Sequence, residues 1–220
     1  MNCLSQLSNG IFATEEQLES LKKKKNAKIL VISDSHGDAT VVGDIFKKFG
    51  PNCDAAVFAG DGIYDLISLM EKAVKYNEPK EWLPPVIAFA RGNNDPSFAS
   101  SSFCRKIIVP KRVILETGVR RILITHGNEE GVYYSTEPLE MAAEEENANA
   151  VIYGHTHFPA EHMHVIYSMN PGSCSCPRYG SKPGCAVLEV LGRNITSIFY
   201  YVDPAGKQEF VPYFPEHYGY

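Results

Sequence analysis

Residues 28–37, Lys-Ile-Leu-Val-Ile-Ser-Asp-Ser-His-Gly, constrain the fold more than any other stretch of the chain. Ile29 to Ser33 are apolar or small, rich in β-branched side chains and without a polar face. Such a run predicts a strand buried on both sides, as in a parallel sheet. It stops at Asp34 and His36, two metal-ligating residue types separated by one position, and Gly37 permits a sharp exit. Open α/β sheets bind ligands outside the carboxyl ends of their strands, so chemistry is expected here.

The pattern then repeats. Asp38 can cap a helix with apolar positions Val41, Val42, Ile45, Phe46 and Phe49, ended by Gly50-Pro51. A strand over 55–59 runs into Gly60-Asp61-Gly62. An amphipathic stretch (Ile63, Leu66, Ile67, Met70, Ala73, Val74) closes at Asn77 and Pro79. A third buried-type strand, 85–90, runs into Arg91-Gly92-Asn93-Asn94-Asp95. Strand and helix alternating at this spacing predict right-handed βαβ units and a parallel sheet. The texture changes at 112–125, a predicted hairpin around residues 117–120 whose second limb reaches His126-Gly127. A helix over 136–147, with Pro138 in its first turn, precedes a strand over 150–153 that leads into Gly154-His155-Thr156-His157. A strand over 165–168 leads into Asn170-Pro171-Gly172-Ser173, and antiparallel strands over 185–191 and 194–202 precede a short strand near 209–211. Residues 1–26 read as an arm ahead of a domain spanning 27–220. Within the arm, Thr14 caps a helix over 15–25 whose early glutamates and late lysines complement the helix dipole. The sum is a two-sheet α/β sandwich with helices outside.

Composition narrows the function classes. A chain of 220 residues supports one substantial core. No apolar run approaches the roughly 20 residues that span a bilayer. The first residues lack the basic start and apolar core of a signal peptide, so a cytoplasmic address is expected. The six cysteines show no repeated spacing and are expected as free thiols; the Cys174-x-Cys176 pair lacks a second pair to complete a zinc site. A net charge of −5 opposes a dedicated nucleic-acid binder. An anionic substrate would need positive charge supplied locally, by metal ions or a few arginines.

Five strand-like segments end in residues able to hold a hard or borderline metal: Asp34 with His36, Asp61, Asn93, His126, and His155 with His157. Each alone reads as a cap or a surface residue, but four of the seven histidines fall at such ends. Seven nitrogen and oxygen ligands without cysteine exceed one four-coordinate zinc site and suit two divalent cations sharing a carboxylate. Ligand type alone does not choose among Mn, Fe, Co, Ni and Zn.

In this order, Asp-x-His (34–36), Gly-Asp (60–61), Gly-Asn (92–93), His-Gly (126–127), Gly-His-Thr-His (154–157) and Asn-Pro-Gly-Ser (170–173), the chain resembles the calcineurin-like metallophosphoesterases, in their small YfcE-type phosphodiesterase branch. The resemblance covers residues 27–202 and implies a four-layer α/β/β/α sandwich of two mixed β-sheets flanked by helices. It implies one metal on Asp34, His36, Asp61 and His157, and a second on Asp61, Asn93, His126 and His155, with Asp61 bridging. Manganese is the first expectation for both ions, with nickel, zinc, iron or cobalt as alternatives. The implied activity is hydrolysis of a small phosphate diester by a metal-bridging hydroxide. Asp61 would position that hydroxide, Asn94 and Asp95 would stand beside the reaction, and Arg178 and Asn94 would contact substrate. Many relatives carry His directly after the metal-binding Asn; here Asn94 stands there, and a neutral amide is no general acid. The alternatives are a phosphomonoesterase or phosphoprotein phosphatase, and a scaffold like the retromer's vacuolar-sorting subunit on the same fold.

Smaller expectations complete the reading. Arg91 is taken as structural, His162 and His164 as surface residues between strands, and Phe98 or Phe103, near the expected site mouth, as a substrate contact, a core residue or an oligomer contact. The aromatic tail (Phe210, Tyr213, Phe214, Tyr218, Tyr220) is expected to pack on the domain or on a second copy in a homo-oligomer.

Overall fold

The computed structural model describes residues 4–202 and 209–215. Within these, two mixed sheets lie face to face. The larger runs in the order β1 (Gln6–Ser8), β2 (Ile11–Phe12), β5 (Val86–Phe89), β4 (Ala55–Phe58), β3 (Asn26–Ile32), β13 (Gly184–Leu191), β14 (Asn194–Val202), β15 (Phe210–Tyr213). The smaller runs β11 (Pro159–Met163), β12 (Tyr167–Pro171), β10 (Ala150–Ile152), β9 (Arg120–Thr125), β8 (Arg112–Thr117). A two-stranded ribbon, β6 (Phe98–Ala99) with β7 (Ile107–Ile108), sits apart. Strands β3, β4 and β5 are parallel, as are β9, β10 and β12; antiparallel strands flank each set.

Period-two patterning on strands buried on both faces builds the layers. On β3, Ile29 and Val31 face the small sheet and join Ile122, Ile124, Ile152 and Met169 in the inter-sheet core. Leu30 and Ile32 face outward, against Ile45 and Phe46 of α2 (Ala39–Phe49) and Leu66 and Met70 of α3 (Ile63–Lys75). On the far side Leu123 and Val151 pack on Leu139 and Ala143 of α4 (Glu137–Glu145). The order is helices, large sheet, small sheet, helix: the four-layer α/β/β/α sandwich. Small residues on the inner face (Ala55, Ala59, Ala88, Ala90, Ala150, Ala186) sit among these larger side chains.

Several details differ from the sequence reading. Residues 4–25 carry strands as well as a helix. β2 pairs with β5, and Phe12, fully buried, stacks on Phe89 at 5.3 Å. The helix α1 (Glu15–Lys22) has the predicted Thr14 cap, completed by Gln17 as a capping box, and stops at Lys22, three residues short of expectation. The strand expected over 165–168 begins at Tyr167 and runs through Pro171; its partner β11, carrying His162, had no clear signal because it is an edge strand with half-exposed residues. Of the readings open for Phe98 and Phe103, Phe103 takes the core one, edge-on to Phe12 in the outer core, while Phe98 is exposed on β6. Of the aromatic tail, Phe210 packs on Phe49 and Tyr213 on Phe199, Phe214 is exposed, and Tyr218 and Tyr220 lie outside the described residues. Among the described residues no helix is long and apolar enough to cross a membrane.

Candidate metal centre

The carboxyl ends of β3, β4 and β5 in one sheet, and of β9 and β10 in the other, meet at one edge of the sandwich. Main-chain bonds continue across the loops: Asp34 N donates to Gly60 O (2.9 Å), His36 N to Asp61 O (3.1 Å) and Gly154 N to His126 O (3.1 Å). Each chain then turns sharply. Of the eight non-glycine residues with positive φ among the described residues, five are Asp34 (55°), His36 (43°), Asp61 (58°), His155 (70°) and His157 (60°). A left-handed conformation costs an L-residue about 1–2 kcal/mol, so the backbone strain is concentrated where the expected ligands stand. Two glycines are required by close approach: a Cβ on Gly92 would collide with the Asp61 carboxylate, and one on Gly154 with the Ser33 hydroxyl.

Asp34 is fully buried. Its Oδ2 accepts from Ser33 Oγ (2.6 Å) and His155 N (3.0 Å), whereas Oδ1 is buried without a hydrogen-bond partner. That orphaned oxygen lies 3.3 Å from His157 Nε2, 3.8 Å from His36 Nε2 and 3.9 Å from His126 Nε2. Asp61 Oδ2 is 3.4 Å from His126 Nε2 and 3.8 Å from His36 Nε2, placing it beside both groups. The ring nitrogens are pre-aimed. His157 Nδ1 donates to Cys176 O (2.6 Å) and His126 Nδ1 to Ala59 O (2.7 Å), leaving each Nε2 free to coordinate. His157 Nε2 then faces His36 Nε2 at 2.9 Å. Two clusters with metal-holding geometry result, Asp34–His36–His157 and Asp34–Asp61–His126, overlapping at Asp34. Asn93 Oδ1 stands 3.2 Å from His126 Nε2, and the His155 ring lies edge-on to His126 at 5.0 Å, so both border the centre outside the two tight clusters.

The electrostatics suit a cation. Burial pushes the Asp61 carboxyl up, but the His126 imidazole and the Asn94 donors outweigh it and hold it well below the ordinary carboxylate range. Burial pulls His126 down, yet Asp61 and Asp34 raise it overall. His155 is lowered by burial and by the charge of His126, which favours the neutral imidazole that ligates metals.

Neighbouring side chains hold this set. Asn94 N (2.8 Å) and Nδ2 (2.6 Å) donate to the two Asp61 oxygens. Asp95 accepts from the amides of Asp61, Gly62, Ile63 and Gly92 at 2.8–3.0 Å, so its carboxylate ties two loops and caps α3 rather than facing the centre. Asn170 Nδ2 donates to Gly154 O (2.7 Å) and Ser173 Oγ to Asp34 O (2.6 Å), giving the Asn-Pro-Gly-Ser motif a bracing role. Arg178, exposed, places Nη1 on the Tyr133 hydroxyl, which donates to His155 O (3.0 Å). Arg178 thus stands at the rim. Sequence reasoning missed Asp65, whose Oδ2 accepts from Ser35 Oγ (2.5 Å) and Gly37 N (2.9 Å); an aspartate on the apolar face of a helix was the available signal. Tyr133 and Ser33 offered none.

The superfamily model described as the calcineurin-like phosphoesterase superfamily domain matches residues 27–193. The chain belongs to the calcineurin-like phosphoesterase superfamily. Within that superfamily, the probable metallophosphoesterase YsnB of Bacillus subtilis is 29% identical over 181 residues, covering 82% of this chain and 93% of the relative. Phosphodiesterase YfcE of Escherichia coli K12 is 28% identical over 183 residues, covering 78% and 95%. Among solved structures, Vacuolar Protein Sorting 29 of Cryptosporidium parvum superposes with a TM-score of 0.63 over 88% of this chain and all of the other, at 14% identity, and so shares the fold. The superfamily implies divalent metal ions, and the donor set described above fits them.

Proposed function

We propose that this protein is a metal-dependent phosphodiesterase acting on a small phosphate diester. The observation that carries the reading is the buried, unpartnered Asp34 Oδ1, ringed by three imidazole Nε2 atoms and flanked by Asp61. A buried acceptor without a partner is costly in a folded protein, and a cation is the natural complement to this one. Asp34, His36, Asp61 and His157 would hold one ion; Asp61, Asn93, His126 and His155 would hold the other. When bound, two such ions lower the pKa of water and balance charge on phosphoryl oxygens. Asn94 donates to both Asp61 oxygens and would fix the carboxylate that the two ions share. Arg178 presents a guanidinium fork to phosphate oxygens. Asn94 contacts substrate as a neutral amide, so the leaving group departs without a proton from that position. Asp95 acts through the loops it ties. The similarity to YfcE, a phosphodiesterase by name, supports the diester. A scaffold role would not require this donor set to stay intact.

Metal-stripped protein should regain turnover of bis(4-nitrophenyl) phosphate on addition of Mn²⁺, Ni²⁺ or Zn²⁺, with manganese expected to restore most. Asp61→Ala should lower the restored rate roughly 100-fold or more. Turnover of 4-nitrophenyl phosphate alone would overturn the diester assignment; full metal-dependent turnover by Asp61→Ala would overturn the role of Asp61.

A further inference from the structure

A cleft of about 230 Å³ is lined by Phe158, Tyr179, Lys182, Tyr201, Tyr213 and Phe214. None of the expected ligands lines it, but its wall is continuous in the chain with one of them. Phe158 directly follows His157, and the loop forming the cleft's rim is fastened to the same residue. Cys176 O accepts from His157 Nδ1, while Arg178 N (3.3 Å) and Ser181 Oγ (3.4 Å) both donate to His157 O. The segment that carries Arg178 at the rim of the centre therefore continues, one residue later, into the aromatic lining.

We propose that this cleft holds the retained aromatic ester group, a single planar ring system, of the phosphodiester substrate. The inference rests on the phosphodiesterase reading, because a monoester has no second ester group to place. Three observations lead to an aromatic occupant. The lining already pairs rings edge to face, Phe158 with Tyr179 (6.2 Å, 74°) and Tyr201 with Tyr213 (5.8 Å, 64°), the geometry aromatic groups prefer. Among the described residues two of the rings are exposed, Tyr179 at 66% and Phe214 at 93%, so a flat apolar partner would cover them. Lys182 Nζ sits over the Tyr201 ring at 3.8 Å, so its charge is engaged within the lining and the cleft presents rings more than a free cation. The volume is below the range of drug-sized ligand pockets and suits one ring system.

The test compares three diesters that all release 4-nitrophenolate: methyl, phenyl and thymidine 5′-(4-nitrophenyl) phosphate. With the leaving group constant, kcat/KM ratios report only the retained group. The wild type should favour the phenyl or thymidine ester over the methyl ester about tenfold or more, the effect of one stacking platform. Tyr179→Ala and, independently, Phe214→Ala should collapse that ratio, and Tyr179→Phe should keep it. Preference for thymidine over phenyl would identify a nucleobase as the occupant; the reverse order would identify a simple aryl group. Equal ratios in the wild type, or ratios unchanged in both alanine variants, overturn the proposal. A second readout is independent of turnover: saturation transfer from the protein to the ring protons of thymidine and phenyl phosphate, in wild type and Tyr179→Ala. If no diester is hydrolysed under any metal, the phosphodiesterase reading fails, while ring-proton transfer lost in Tyr179→Ala would still establish the cleft as an aromatic site.

Discussion

Asp34 performs two tasks with one carboxylate: Oδ2 is locked by Ser33 and the His155 amide, and Oδ1 is held buried and unpaired. An unsatisfied buried acceptor costs about 1–3 kcal/mol, so the apo protein carries a local penalty that a ligand ion would relieve. The identities of the converging residues were legible in the sequence because each follows a buried strand. Their left-handed backbone was not, since Asp and His carry no conformational signature comparable to Gly. Asn94 is the residue at which chemistry is most open to redesign. Its main-chain N and its side-chain Nδ2 each donate to Asp61, so Asn94→His would keep the main-chain donor and add an ionisable ring near the leaving group. Positioned general acids contribute 10²–10⁴-fold. The rate on alkyl diesters should therefore rise relative to aryl diesters by about tenfold, measured as the ratio of kcat/KM values; an unchanged ratio would refute the placement.

At the scale of elements, α3 shows how a helix is tied to a site. Its N-terminus has no side-chain cap of its own, and Asp95 reaches across from the loop after β5 to accept the Gly62 and Ile63 amides. The same carboxylate holds Asp61 N and Gly92 N, so capping and site geometry are one contact. Asp95→Ala should destabilise the fold by about 2–4 kcal/mol, because it strips charge-assisted bonds from four amides and removes a negative charge at a helix N-terminus. It should also lower metal occupancy. Urea unfolding and elemental analysis of the dialysed protein check the two effects separately. The long elements were readable from periodicity: β3, α2, β4, α3 and β5 stand within a few residues of expectation. β2, two residues long, and the edge strand β11 were not, because so short or half-exposed a segment gives period-two patterning too few positions to register.

Across the whole molecule, the division between an arm and a domain is where the sequence was hardest to read. The superfamily match begins at residue 27, yet Phe12 is fully buried between Phe89 and Phe103. Hydrophobicity at Ile11 and Phe12 is too brief to announce an added strand; only the open edge of β5 gives it meaning. We propose that residues 4–26 fold as part of the domain. Phe12→Ala should then cost about 3–5 kcal/mol, the usual penalty for emptying a buried aromatic site, in chemical denaturation monitored by circular dichroism; a loss below about 1 kcal/mol would mark the segment as an independent appendage. The two overlapping clusters carry a last consequence. Asp34 and Asp61 come from one sheet, His126 and His157 from the other. No half of the molecule presents the full set, so the complete site would exist only once both halves have docked. Full-affinity loading would then report that the two sheets have come together.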